Sequence, residues 1–213
     1  MTIDGEGDLG DITSSIGRPP AAERLLAATI AAIDEGGESN VKVQDIADAA
    51  GVQIPILYRK YGSRDGLIQA AHIARLSGQL EREMSELAAA MAKANTAEEF
   101  RALLEAVLRG VCSPERRDAR MKRVNIIGSS YGRPALAKAI SAAQQRAISN
   151  IAGVLARPQE QGWLRQGLDL DAVAAWIAGA ALGRIVIEVG DSDVDDAAWD
   201  AIFADAVRHV LLP

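Results

Sequence analysis

Lys42, Gln44, Gln53, Arg59 and Lys60 crowd hydrogen-bond donors into one short stretch of the chain. Their types suit nucleic acid. A glutamine such as Gln53 can pair with an adenine edge, and Arg59 or Lys60 with a guanine or a phosphate. Lys42 stands where a helix would begin, a place that favours phosphate. Ile54 and Ile56 are of the kind that touch thymine methyls, unless one of them is buried. Gln44 and Pro55 complete the candidate set. Phosphate contacts position a protein on DNA, and base-edge contacts specify the sequence. A solvated lysine at 42 and an ordinary helical hairpin remain the plainer alternatives.

The elements that must carry these groups are readable in the same stretch. Val43, Ile46, Ala47 and Ala50 recur at i, i+3, i+4 and i+7, one face of a helix. Gly51 follows, where a left-handed C-terminal cap costs a glycine least. Pro55 sits at the start of a second helix, where its missing N–H is not needed. Leu57, Tyr58 and Tyr61 give that helix an inner side. Helix, tight turn, helix is the plan of a helix-turn-helix DNA reader. Asp45 reads as a structural partner for the turn.

Composition bounds the rest. The chain has 213 residues, 49% of them hydrophobic, enough for one or two folded domains. Aromatics are only 4%, and alanine recurs in every periodic segment, which favours helix over sheet. The net charge of -6 requires any DNA contact to come from a local patch. One cysteine, Cys112, excludes an internal disulfide and a cysteine-based zinc site, so no metal is expected. With no basic signal region, a cytoplasmic setting is expected. The longest apolar run, Ala172 to Gly183, falls short of the ~18 residues a membrane span needs.

Residues 1–17 are rich in Gly and Asp and lack periodicity, so a disordered acidic arm is expected there. Residues 18–62 read as a three-helix DNA-binding domain whose first helix carries Leu25, Leu26, Ile30 and Ile33. Residues 63–213 read as a six-helix body. Ser63 is a good N-cap for a long helix reaching about residue 93. Thr96 and Glu99 form a capping box. Pro114 and Pro134 open further helices, Asp169 or Asp171 caps another, and Ser192 with Asp195 resembles a capping box. The fold class is therefore all-α, a three-helix helix-turn-helix head plus a six-helix body.

Asp45-Ile46-Ala47-Asp48-Ala49-Ala50-Gly51-Val52, followed by Leu57-Tyr58-Arg59-Lys60-Tyr61-Gly62-Ser63-Arg64-Asp65-Gly66-Leu67, closely resembles the TetR family of bacterial transcriptional regulators. The resemblance is specific over the first third and architectural over residues 21–211. It implies a dimer on a palindromic double-stranded operator, more often as a repressor, and a phosphate contact from Tyr58. Two departures stand out. Val41-Lys42 occupy a place where the family often has Thr or Ser. Ile56 stands where a phosphate-bonding hydroxyl would be.

The middle helices of the body look like a small-molecule chamber, their residues being apolar and mostly unbranched or flexible. Met84, Leu87, Phe100, Leu103, Leu104, Val107, Met121, Val124 and Ile127 would line it, with Asn125, Ser129, Tyr131, Gln144 and Trp176 supplying a few polar or aromatic contacts. Each of these residues also suits an ordinary core. The expected effector is mainly apolar, and no cofactor is called for. Ala172, Ala175, Gly179 and Gly183 form a small-residue stripe that allows close helix approach. In the family the last two helices pair across a two-fold axis, which implies a homodimer interface including Trp199, Ile202, Phe203 and Val210. Packing within one chain is the alternative for the stripe. The two histidines, His72 and His209, lie far apart, and no catalytic motif is present. An enzyme is not expected. A helical interaction protein without DNA binding is the alternative, and a gel shift discriminates it.

Overall fold

Apolar residues spaced three and four apart become helix in each segment where the sequence predicts one. The computed structural model describes residues 19–190 and 192–213, and every regular element among them is helical. The expected acidic arm, residues 1–17, lies outside the described residues. The chain forms two compact units, one ending at Ala74 and the other running Arg75–Pro213.

The first unit holds α1 (Ala21–Gly36), α2 (Val43–Ala50), α3 (Ile54–Tyr61) and the opening turns of α4 (Arg64–Met91). Leu25, Ile33, Ile46, Ala50 and Leu57 share one buried core with Leu67, Ile68 and Ala71 of α4. Those α4 residues carry the unit past residue 62. Gly51 adopts φ 60° and ψ 46°, and its N–H bonds back to the end of α2. Only glycine takes that left-handed conformation without strain. Gly66 is required for a different reason: a Cβ there would lie 2.1 Å from the Tyr61 carbonyl oxygen.

Long polar side chains clamp this unit. Arg24 donates from Nε to the Ala50 carbonyl at 2.7 Å, from Nη2 to the Gly51 carbonyl at 3.3 Å, and from Nη1 to Pro19 at 2.6 Å. It ties α1 to the turn. Arg64 donates from Nε to the Val41 carbonyl at 2.6 Å and from Nη2 to that of Glu38. The Tyr61 hydroxyl reaches the Ala22 carbonyl at 3.1 Å.

The second unit contains the rest of α4 with α5 (Ala97–Cys112), α6 (Arg117–Ser129), α7 (Pro134–Glu160), α8 (Leu170–Gly183), α9 (Ile185–Glu188) and α10 (Asp196–Leu211). Phe100, Leu104, Leu108, Leu155, Leu164, Phe203, Val207 and Leu211 form its core. Thr96 and Asp169 cap α5 and α8, accepting from Glu99 N at 3.2 Å and Ala172 N at 3.0 Å. Three details differ from the sequence reading. Pro114 opens a short 3-10 turn, Pro114–Arg116, ahead of α6. The cap on α10 is Asp195 to the Ala197 N–H at 2.9 Å, while Ser192 accepts from Val194. The helix expected over about 171–189 is broken at Arg184.

Arg184 sits at that break. It is 1% exposed, donates from Nε to the Cys112 carbonyl at 2.8 Å, and faces Asp196 and Asp200, both at 3.2 Å. Arg120 and Glu188, also buried, pair beside it. Such a network stabilises little by itself, but it leaves a buried charge behind when one member is removed.

Candidate nucleic-acid interface and body cavity

On α2 and α3 the apolar face turns inward and the donors turn outward. Leu57 is fully buried, and Gln53, Pro55, Tyr58, Arg59 and Lys60 are exposed on α3 or at its start. Gln53 is the N-cap residue of α3 and spends no side-chain hydrogen bond on the cap, so its amide is available. Lys42 is the exposed N-cap of α2, beside backbone N–H groups without helical partners. Among the described residues, Lys42, Arg59 and Lys60 form no ion pair, whereas Arg24 and Arg64 are committed to backbone carbonyls. Gln44 is exposed, but its amide nitrogen donates to the Asp48 carboxylate at 3.0 and 3.1 Å, leaving its oxygen. Ile54 is half-buried, and Ile56 packs against the head's core, so of the two isoleucines Ile56 takes the buried role. Tyr58 is 46% exposed, and Tyr61 is the ring that turns inward, burial raising its phenol pKa.

The second unit encloses a cavity of about 430 Å³. Met84 and Leu87 of α4, Leu103, Leu104 and Val107 of α5, Ile151 and Val154 of α7, and Ile177 and Leu182 of α8 supply most of its wall. Five of the residues expected there, Met84, Leu87, Leu103, Leu104 and Val107, do line it. Phe100 does not: it is fully buried in the core against Trp163, ring centroids 6.0 Å apart. Met121, Val124 and Asn125 are also absent from the wall, being exposed on the other side of α6. Tyr131 is 95% exposed in the turn after α6, Trp176 is 43% exposed on α8, and Gln144 of α7 lies outside the wall.

Arg116, just ahead of α6, and Arg120 and Arg123 on it face the cavity instead, joined by Gln79, Glu83 and Glu86 of α4. None of these six side chains is among the residues expected from sequence to line the cavity. The available signal was the spacing of the arginines, 116, 120 and 123, which places all three on one face. Gln79 donates to Glu83 at 3.0 Å, and Arg116 lies 3.8 Å from Glu83 and 3.5 Å from Glu86. Burial lowers the Arg123 pKa against the opposing attraction of Glu83.

The small-residue stripe is also visible. Ala172, Ala175, Gly179 and Gly183 are exposed on one face of α8, with Trp176 among them, while Val173 and Ala174 are buried on the other. A Cβ built on Gly179 or Gly183 meets nothing within 4 Å. On α10, Ile202 is 71% exposed, but Phe203 is buried and stacks on the partly buried Trp199 at 5.6 Å. Val210 packs on the core too. Phe203 therefore belongs to the chain's own interior, since its neighbour Ile202 faces a different side of the helix, while Val210 is only partly buried. Leu170–Glu188 reaches 19 residues, long and apolar enough by length and composition to cross a membrane, which the shorter run counted in sequence was not. Within that stretch Leu170, Ile177, Ala180 and Ala181 pack against the chain's own core, and the exposed part is the face carrying Ala172, Ala175, Trp176, Gly179 and Gly183.

Two short helices joined by a left-handed glycine turn, the second presenting its donors outward, define a helix-turn-helix DNA-binding protein. Residues 25–71 match the model for bacterial regulatory proteins of the tetR family. The chain is 31% identical over 170 residues to the HTH-type transcriptional regulator BetI of Stenotrophomonas maltophilia (strain R551-3), covering 78% of this chain and 84% of that one. It belongs to the TetR family of bacterial transcriptional regulators, and it is not an enzyme. The fold recurs in a protein from Saccharomonospora viridis described as a transcriptional regulator and solved with choline, with TM-score 0.65, 20% identity, and 91% and 98% of the two chains covered. It recurs in the transcriptional regulator FadR of Bacillus subtilis, solved with stearoyl-CoA, with TM-score 0.57, 17% identity, and 87% and 96% covered. At such identities the likeness concerns the fold alone.

Proposed function

We propose that this chain is a cytoplasmic homodimeric repressor, holding a palindromic operator and releasing it when a mainly apolar small molecule enters the body cavity. The observation that carries this reading is a single helix serving two purposes. Leu67, Ile68 and Ala71 of α4 are core residues of the DNA-reading unit, and Met84, Leu87 and Met91 of the same helix line the cavity. A ligand that displaces the second half of α4 has a covalent lever on the first. Choline and stearoyl-CoA, held by two proteins of this fold, differ so much that the effector must be argued from this cavity's own wall.

Dimerisation is supported by the bare α8 face. An apolar helix surface of small residues, uncovered in one chain, favours close approach by a second copy. On DNA, Lys42 and Tyr58 are assigned to phosphates, and Gln53, Arg59 and Lys60 to base edges or phosphates, in successive major grooves.

The test is fluorescence anisotropy on an operator recovered by selection from random DNA, followed by titration of apolar candidates into the complex. A coupling of ~1–3 kcal/mol lowers operator affinity roughly 5–150-fold. If no small molecule binds the protein, the repressor is constitutive and the effector half of the proposal falls.

A further inference from the structure

The three arginines facing the cavity differ in how their donors are spent. Arg120 donates to the carbonyls of Val111 at 2.8 Å and Ser113 at 3.0 Å and to both oxygens of Glu188. Arg116 sits between two carboxylates, Glu83 and Glu86. Arg123 has no such partner. Its Nε is buried without a hydrogen bond, and among the described residues it forms no ion pair. Glu83 attracts it from a distance but already accepts from Gln79 and faces Arg116. A guanidinium Nε buried without an acceptor is costly unless something supplies one.

Resting on the reading of this cavity as an effector site, we propose that Arg123 receives the carboxylate of an amphipathic acid whose apolar body fills the cavity. Guanidinium donors match the two oxygens of a carboxylate in a planar fork. Leu87, Leu103, Val107, Ile151 and Ile177 offer the apolar body an aliphatic wall. The cavity volume, about 430 Å³, lies in the range that encloses a drug-sized molecule. The wall also argues against a quaternary ammonium ligand. None of the chain's Trp, Tyr or Phe residues lines the cavity, so an aromatic cage for a cation is missing. Choline chemistry therefore does not transfer to this chain from its similarity to other proteins.

Isothermal titration of the full chain with sodium decanoate, decanamide, decyltrimethylammonium bromide and choline chloride separates the outcomes. Decanoate is expected to bind most tightly. Arg123→Gln is expected to weaken decanoate roughly ten- to a hundredfold while decanamide binding stays unchanged. Arg123→Lys is expected to retain part of the decanoate affinity. The melting temperature of ligand-free Arg123→Gln is expected to equal or exceed that of the wild type, since the lost group abandons no partner. A fall in that temperature, undiminished decanoate binding in Arg123→Gln, or tighter binding of either cation overturns the proposal. Decanamide binding without decanoate binding overturns the acidic headgroup and leaves the effector reading intact. If none of the four binds the wild type, the acidic-headgroup proposal falls, and the effector reading of the cavity is then decided by the wider titration of apolar candidates into the operator complex.

Discussion

Replacing Lys42 by alanine tests the DNA face through its response to salt. Lys42, Arg59 and Lys60 are the exposed α2–α3 cations that no ion pair or backbone clamp claims among the described residues. With Arg59 and Lys60 both taken on phosphates beside Lys42, three such contacts per head make six in a dimer, and log affinity then falls with log salt at a slope of about -5.4. Between 50 and 200 mM salt the wild type is expected to lose affinity about 1800-fold. Lys42→Ala removes two contacts per dimer, so its slope is about -3.6 and its loss over the same range about 150-fold. The effect is the same on any DNA sequence, because a phosphate contact carries no base information. Anisotropy with a labelled duplex at four or more salt concentrations measures both slopes. Lys138→Ala, an exposed lysine of α7, serves as the control and keeps the wild-type slope. An unchanged slope in Lys42→Ala, or a loss confined to one sequence, refutes the phosphate assignment.

Gly179→Leu leaves a single chain unhindered, since nothing lies within 4 Å of the added Cβ, yet it crowds the stripe against a second copy. Sedimentation is expected to show a shift toward monomer of ~1–3 kcal/mol per site, and an intact dimer moves the interface elsewhere. Glu188→Gln removes the main partner of buried Arg120 and is expected to cost about 3–5 kcal/mol in urea unfolding. The hydrogen bond from Arg120 lowers the Glu188 pKa in the folded state. Its stabilisation is therefore complete above the ordinary carboxylate range and is lost as pH falls through the depressed value; a wild-type acid titration that shows no such loss, or the same loss in Glu188→Gln, rejects this. Burial pushes the Cys112 thiol up to about 11, so the unfolded chain ionises first as pH rises. Unfolding free energy is expected to decline from the ordinary thiol range up to about pH 11, less steeply in Cys112→Ala, and the native thiol is expected to resist iodoacetamide at pH 8. Rapid labelling without unfolding contradicts the buried placement.

The head was legible because its signals are local. Gly51, Pro55 and the Ile46–Ala47–Ala50 spacing each constrain one turn of backbone, and no distant residue has to be known to read them. Arg24 was not legible, because nothing in its neighbourhood says that a surface cation reaches the turn twenty-six residues on. The body failed in a similar way. Its helices follow from periodicity and caps, but the side of α6 that meets a cavity depends on which helices pack against it. Pockets are lined mostly by apolar side chains, and that expectation favoured Met121 and Val124 over Arg116, Arg120 and Arg123. Phe203 was placed on an outer face by its apolar company, yet its neighbour Ile202 is the one left exposed.

Selection from a random-sequence duplex library by the purified full chain tests the central claim most directly. The account predicts enrichment of a palindrome whose half-sites lie about one helical turn apart, bound at least about a thousandfold more tightly than unselected DNA at the same salt concentration. A library that yields no common sequence, or selected duplexes bound no better than the starting pool, would contradict it.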